Sequence, residues 1–380
     1  MKVLYILHIS ELHGSIISLF NTIAGLKEKG IEPVLVLPDG RLCDDGFVER
    51  VDELGAKCYS VPIVQSVINR DVYNSWSFKQ KIRFFYSSYR QKYCSYQSIS
   101  KIVRSERPSI VHTNSGVIHE GFWAAKRYRI PHVFHIREYQ DIDFGWKIIP
   151  SKSLFCLLLK YSNVITITNA LKWYFGLDRY RNAYTIYNGI YPKNKTSLFL
   201  PKDDYFFCAS RISKEKGFDD VVIAFAEFTK THPTYQLILA GDGDKNYIRK
   251  LKELSLANKC DDKVSFIGYS RNVYDYMQRA RALIVGSFNE GFGRMTAEAA
   301  FAGCLVIGRS TGGTKEILDK TGGYRFVGVD ELVTSMNNVA ELSDKAYYEK
   351  AHYAQCQATE WFSTEQNVER IYNLYQKIVK

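Results

Sequence analysis

The stretch ALIVGSFNEGFGRMTAEAAFAGCLVIG, residues 282–308, restricts the fold more than any other part of the chain. Ala282 to Val285 is an apolar run the length of a buried strand, and Cys304 to Ile307 is a second. Between them lie a loop with two glycines and a carboxylate, SFNEGFG, and a helix-forming segment, TAEAAFAG, that Gly303 is placed to cap. The pattern predicts a β-loop-α-β unit with parallel strands. Its loop then sits at the carboxyl end of a strand, where open α/β sheets bind ligands. The helix start offers unpaired N–H groups and a positive dipole end, suited to a phosphate. Gly291 and Gly293 let backbone approach an anion closely.

Two carboxylates, Glu290 and Glu298, flank that anion site. A diphosphate repels them, so they suit sugar hydroxyls instead, such as a ribose diol. Glu-x7-Glu around Gly291-Phe292-Gly293 resembles the signature of the retaining glycosyltransferases of family 4. That resemblance implies α/β architecture of the GT-B type, two Rossmann-like domains with parallel sheets facing across a cleft. It places Glu290 near the transferred sugar and phosphates, and Glu298 on the ribose. Most relatives have Leu-Pro after the GFG; here Arg294-Met295 stands there.

Further residues carry the same resemblance. Arg211 and Lys216 lie in ASRISKEKGF between a strand and a helix, and two cations at such a point form a phosphate clamp. Arg-x4-Lys-Gly is also the family's diphosphate motif. In KVSFIGY, the backbone of Ile267 is expected at the nucleobase. Gly312 and Gly313, in RSTGGTKEI, form a glycine nest near the phosphates; Glu316 is a common family residue there. In the first half the correspondence is looser. Gly14 stands alone in the first turn, where relatives often have two glycines, and a full GxGxxG is absent. His135, in HIRE, matches a functional histidine after the fourth strand. Asn188-Gly189 matches a turn before the interdomain linker.

At 380 residues the chain predicts about two domains. They are expected at 1–195 (acceptor side) and 196–360 (donor side), with residues 361–380 a helix crossing back to the first. The eight cysteines are scattered, without CxxC or metal-ligand spacing, and read as reduced thiols of a cytosolic protein. No run reaches the apolar length of a membrane span. Asp141-x-Asp143 and Asp242-x-Asp244 spell a metal-binding pair of another transferase fold. With Arg211 and Lys216 to neutralise a diphosphate, the expectation is no metal and no cofactor.

Charge is unevenly placed. Residues 1–195 hold 27 Lys and Arg against 16 Asp and Glu, the entire net excess of +11. Residues 76–97 interleave Lys79, Lys81, Arg83, Arg90 and Lys92 with aromatics, contain no acid, and are expected to be helical. Such a domain suits an anionic membrane surface, an anionic substrate or nucleic acid. The expectation is a retaining hexosyltransferase of cell-surface polysaccharide synthesis. It would use a nucleotide-diphosphate sugar, UDP-linked, act on a glycan or polyprenyl-diphosphate-linked acceptor, and dock on the cytoplasmic face of a membrane. The alternatives are a nucleotide-sugar epimerase or hydrolase on this fold, or a non-catalytic sugar- or nucleic-acid-binding protein.

Overall fold

The computed structural model describes residues 1–39, 45–196 and 199–379. The chain divides into two compact units, Met1–Gly189 with Thr364–Lys380, and Ile190–Ser363.

The first unit is built on β1 (Lys2–Leu7), β2 (Glu32–Pro38), β3 (Lys57–Val61), β4 (Val67–Asn69), β5 (Ile110–Asn114), β6 (His132–Ile136), β7 (Trp146–Ile148), β8 (Asn163–Thr166) and β9 (Ala183–Thr185). Seven of them form one parallel sheet in the order β3-β2-β1-β5-β6-β8-β9, and β4 and β7 pair separately. Successive side chains of a strand point to opposite faces. In β1, Val3, Tyr5 and Leu7 enter one core with helices Gly14–Glu28 and Thr364–Val379. Leu4 and Ile6 enter the other, with Ile99, Ile102 and Val103 of the helix Phe78–Glu106. Burial on both faces explains why these strands read as continuous apolar runs.

The second unit has β10 (Asp203–Ala209), β11 (Gln236–Ala240), β12 (Val264–Gly268), β13 (Ala280–Val285), β14 (Leu305–Arg309) and β15 (Tyr324–Phe326). Its parallel sheet runs β12-β11-β10-β13-β14-β15. Phe206 and Cys208 face one core, Tyr205 and Phe207 the other. In both sheets the chain steps outward on one side of its first strand and then returns to that strand's other side. The switch points lie between β1 and β5, and between β10 and β13. Such points open a crevice at the strands' carboxyl ends.

The division between units falls at Gly189/Ile190 and Ser363/Thr364, against the expected 195/196 and 360/361. Hydrogen bonding sets the difference. Ile190 N–H donates to Phe362 O at 2.8 Å, and Tyr191 bridges to Ser363, so residues 190 and 191 belong with the second unit. The expected helix at 76–97 spans Phe78–Glu106, entered through a capping box of Ser77 and Gln80. Strands β3, β4, β7 and β15 were not foreseen; they are short and lie at edges or in the two-stranded pair. Seven cysteines among the described residues are free thiols, and Cys43 lies outside them. No described helix is long and apolar enough to cross a membrane.

Candidate active site

The two loops at the β10/β13 switch point carry the residues singled out in the sequence. The loop after β10 ends in a short 3-10 turn, Lys214–Lys216, and Gly217, whose φ of 68° lets the chain turn into the helix Phe218–Phe228. A Cβ on Gly217 would lie 2.2 Å from Gly286 O, so the two loops touch through backbone. Lys216 is thereby aimed across the switch point. Its Nζ donates to Glu290 Oε1 at 2.6 Å, and each side chain is 22% exposed. An ammonium has three donors, and Glu290 takes one of them. Lys216 can therefore hold a phosphate oxygen while staying paired with Glu290.

The loop Gly286–Gly293 is held from several sides. Arg309, at the end of β14 and 6% exposed, donates to Gly286 O at 2.8 Å, Val327 O at 2.7 Å and Asp220 Oδ2 at 2.5 Å. Its guanidinium lies 4.3 Å from the Phe288 ring centre. This brace was missed in the sequence; the only cue was a cation closing the apolar run LVIGR. Below the loop, Gly313 N–H donates to Glu290 O at 2.8 Å. Gly312, with φ 49°, has its Cβ position 2.5 Å from that same carbonyl. Gly291 is partly exposed and Phe292 is buried, its ring edge-on to Phe362. Gly293, with φ 87°, opens the helix Arg294–Phe301.

Glu298 lies one turn into that helix, 13% exposed, and accepts from Arg294 Nε at 2.5 Å. Burial pushes its carboxyl above the usual range, partly offset by Arg294. The Tyr191 hydroxyl is pushed up by burial and by the Glu298 charge beside it. Arg294 thus holds Glu298 in place.

Next to this crevice is a cavity of about 360 Å³ at the carboxyl ends of β10, β11 and β12, with Arg211, Gly241, Tyr269, Val273 and Met295 in its wall. Ile267 sits in β12, one residue before Gly268, whose carbonyl accepts from Gly241 N–H. Arg211 stands apart from Lys216: it is 63% exposed on its side chain and donates to Glu215 at 2.9 Å. The structure thus brings Lys216, Glu290, Gly312 and Gly313 together, sets Glu298 on the adjoining helix, and puts Arg211 at the cavity.

His135 and Gly14 belong to the first unit. Gly14 is exposed and opens the helix Gly14–Glu28. His135, at the end of β6, is 1% exposed, and burial lowers its pKa well below the ordinary value. Its Nδ1 lies 3.4 Å from Arg137 Nη2 and 3.2 Å from His112 Nε2. A guanidinium only donates, so Nδ1 accepts and the proton sits on Nε2. That Nε2 is a buried atom without a protein partner. Ser10 Oγ and Asn114 Nδ2, which follow β1 and end β5, are likewise buried and unpartnered. Arg137 also donates to Asn114 Oδ1 at 2.6 Å and to Asn188 Oδ1 at 2.8 Å. Sequence reasoning found His135 and Asn188 but not Arg137. The cue was present, since Arg137 follows the buried strand HVFHI directly.

Among the described residues no three His, Cys, Asp or Glu side chains cluster as metal ligands. Asp141 accepts from Lys152 and the Tyr174 hydroxyl, and Asp244 caps the helix Lys245–Ala257.

Comparison with known proteins shows what this arrangement is similar to. Residues 192–356 match the model of the glycosyl transferases group 1. An uncharacterised 42.6 kDa protein of the Klebsiella pneumoniae cps region is 29% identical over 58% of this chain and 62% of its own. The match thus spans under two thirds of that relative. The alpha-monoglucosyldiacylglycerol synthase of Acholeplasma laidlawii is 25% identical over 65% of this chain and 73% of its own. Anabaena Alr3699/HepE, solved in complex with UDP, superposes over 99% of this chain and 100% of its own with a TM-score of 0.78 at 18% identity. Residues 192–356 are thus similar to the group 1 glycosyl transferases, and the chain, with its two parallel sheets, has the GT-B fold.

Proposed function

We propose that the protein transfers a hexosyl group from a UDP-sugar to a glycan or lipid-linked acceptor, with retention at the anomeric carbon, in cell-surface polysaccharide synthesis on the cytoplasmic side. The observation that carries this is the Lys216–Glu290 pair at 2.6 Å, supplied by the two loops that meet at the donor unit's switch point. A diphosphate lies against Lys216 and the backbone N–H groups at the starts of helices Arg294–Phe301 and Gly312–Thr321. Glu290 reaches the sugar, Glu298 the ribose, and the cavity beside Ile267 takes the base. Arg211, at the cavity wall, turns from Glu215 to the phosphates. HepE holds UDP in one structure and UDP-glucose in another, which supports a UDP-linked donor.

The acceptor oxygen forms its bond to C1 on the face from which the diphosphate departs. Its proton passes to the leaving phosphate oxygen. Lys216 stabilises the charge that develops there. Within the first unit, His135 Nε2–H is a donor for a hydroxyl, and Gly14 lets backbone approach a ligand.

A panel of nucleotide-diphosphate sugars, incubated with and without acceptor extracts, tests the reading. Nucleotide release should depend on acceptor and favour UDP-linked donors. Release without acceptor identifies a hydrolase, interconversion of donors identifies an epimerase, and silence across the panel removes the enzyme reading. Saturating chelator should leave the rate unchanged, because Lys216 and helix N-termini do the work of a cation. Loss that magnesium or manganese restores would overturn that mechanism.

Glu298→Ala separates the two glutamates. It removes hydrogen bonds to the ribose that donor and free nucleotide share. Affinity for both should fall by ~1.5–3 kcal/mol while kcat changes little. Isothermal titration with UDP checks it; unchanged UDP affinity would remove Glu298 from the ribose.

A further inference from the structure

The helix Phe78–Glu106 carries an aromatic face that its own core does not use. Its inner side buries Ser88, Ser95, Ile99, Ile102 and Val103. Phe78, Ile82, Tyr86, Tyr89 and Tyr93 are 77, 54, 72, 74 and 52% exposed. Their spacing keeps all five within about 80° of one another at 3.6 residues per turn. Lys79, Arg83 and Arg90 are exposed and fall along one flank of this stripe. Between Asp71 and Glu106 the chain has no acidic residue.

The other aromatics and cations of the segment are engaged elsewhere. Trp76, Phe84 and Phe85 gather with Tyr73, and Lys81 lies over the Tyr73 ring. Lys92 turns inward and donates to Ser66; burial lowers its pKa. Of the segment's five cations, Lys92 and Lys81 are therefore not part of the exposed flank.

Five large side chains on one face with cations beside them are the pattern of a helix lying in a lipid interface. A protein partner would need an acidic surface to match the cations. An anionic bilayer supplies that charge over any area and takes the rings without shape complementarity. We propose that this face docks the protein on an anionic lipid bilayer. Phe78, Ile82, Tyr86, Tyr89 and Tyr93 enter the boundary between headgroups and acyl chains, and Lys79, Arg83 and Arg90 meet headgroup phosphates. This deepens the lipid-linked acceptor reading, but vesicle binding needs no sugar transfer, so the two can fail separately.

Co-sedimentation of the full chain with phosphatidylcholine vesicles, and with vesicles also containing phosphatidylglycerol, decides it. Binding should require the anionic lipid and weaken at about 0.5 M salt. The triple variant Lys79→Gln, Arg83→Gln, Arg90→Gln should weaken it ~10²-fold, since each cation near such a surface contributes about a factor of five. The double variant Tyr86→Ser, Tyr89→Ser should weaken it at least about tenfold even at low salt. These side chains are exposed, so thermal unfolding should match the parent and show that the variants fold. Leu154, Leu157 and Tyr161 are also exposed, on and just after a different helix of the unit. Their replacement by Gln should leave binding unchanged. Equal sedimentation with both vesicles, none with either, or loss that follows the Leu154 set would overturn the proposal. So would a duplex oligonucleotide that displaces the protein from anionic vesicles.

Discussion

Lys216→Ala is expected to lower kcat by ~10²–10³, equivalent to ~2.7–4 kcal/mol of transition-state stabilisation. Two effects act together. The departing diphosphate loses the Lys216 cation, and the Glu290 carboxylate loses its 2.6 Å partner. A bare carboxylate beside a leaving diphosphate raises the barrier further. The Lys216 side chain is only 22% exposed, so the folding of the variant is read directly from its melt. Arg211→Ala should cost less, about tenfold, since Arg211 is mostly exposed and must leave Glu215 to reach a phosphate. Single-turnover rates at saturating donor, beside thermal melts of each variant, separate chemistry from folding. A folded Lys216→Ala enzyme with parental turnover would remove Lys216 from the site.

The donor unit was legible because its chemistry lies in short, contiguous segments. Once residues 282–308 are read as strand, loop, helix and strand, the loop's place at the sheet's carboxyl edge follows. The loop after β10 falls beside it because the sheet turns back at β10. Strand-end placement together with the resemblance to family 4 therefore pointed Glu290, Lys216, Gly312 and Gly313 to one neighbourhood. What they could not give was pairing. That Lys216 meets Glu290 while Arg211 meets Glu215 depends on Gly217 and Gly286 in backbone contact.

The first unit was less legible for the opposite reason. Its polar centre joins Ser18, Asn114, Arg137 and Asn188, which come from four separate places in the chain. No local pattern announces that Arg137 will sit buried between two asparagine oxygens. Segment 76–97 shows a related limit. Composition counts its cations correctly but carries no direction; only the helix phase shows Lys92 turned toward Ser66 while Arg90 faces outward. Strand β3, KCYSV, lies at the sheet edge with little burial, so the apolar run that marked β1 and β2 is missing there.

Gly313→Ala is expected to damage stability and donor binding together. A Cβ on Gly313 would lie 2.1 Å from Phe292 O, 2.4 Å from Phe292 C and 2.5 Å from Phe292 Cα. These are backbone atoms, so no side-chain rotation relieves the contact. Either the helix Gly312–Thr321 or the loop ending at Gly293 must move. The Gly313 N–H bond to Glu290 O, at 2.8 Å, couples that movement directly to the Glu290 backbone. Overpacking of this kind costs ~1–3 kcal/mol. Because the displaced loop carries Glu290 and leads into the helix of Glu298, nucleotide affinity should fall by at least about tenfold and turnover by ~10². Gly328→Ala is the matched control. Gly328 also precedes a helix, but nothing lies within 4 Å of its Cβ position and its φ of −123° suits any residue. It should leave melting temperature, UDP affinity and rate as they were. Differential scanning calorimetry and UDP titration on both variants make the comparison. Gly313→Ala behaving like Gly328→Ala in all three measurements would mean that the contact between the Phe292 backbone and Gly313 does not hold the site.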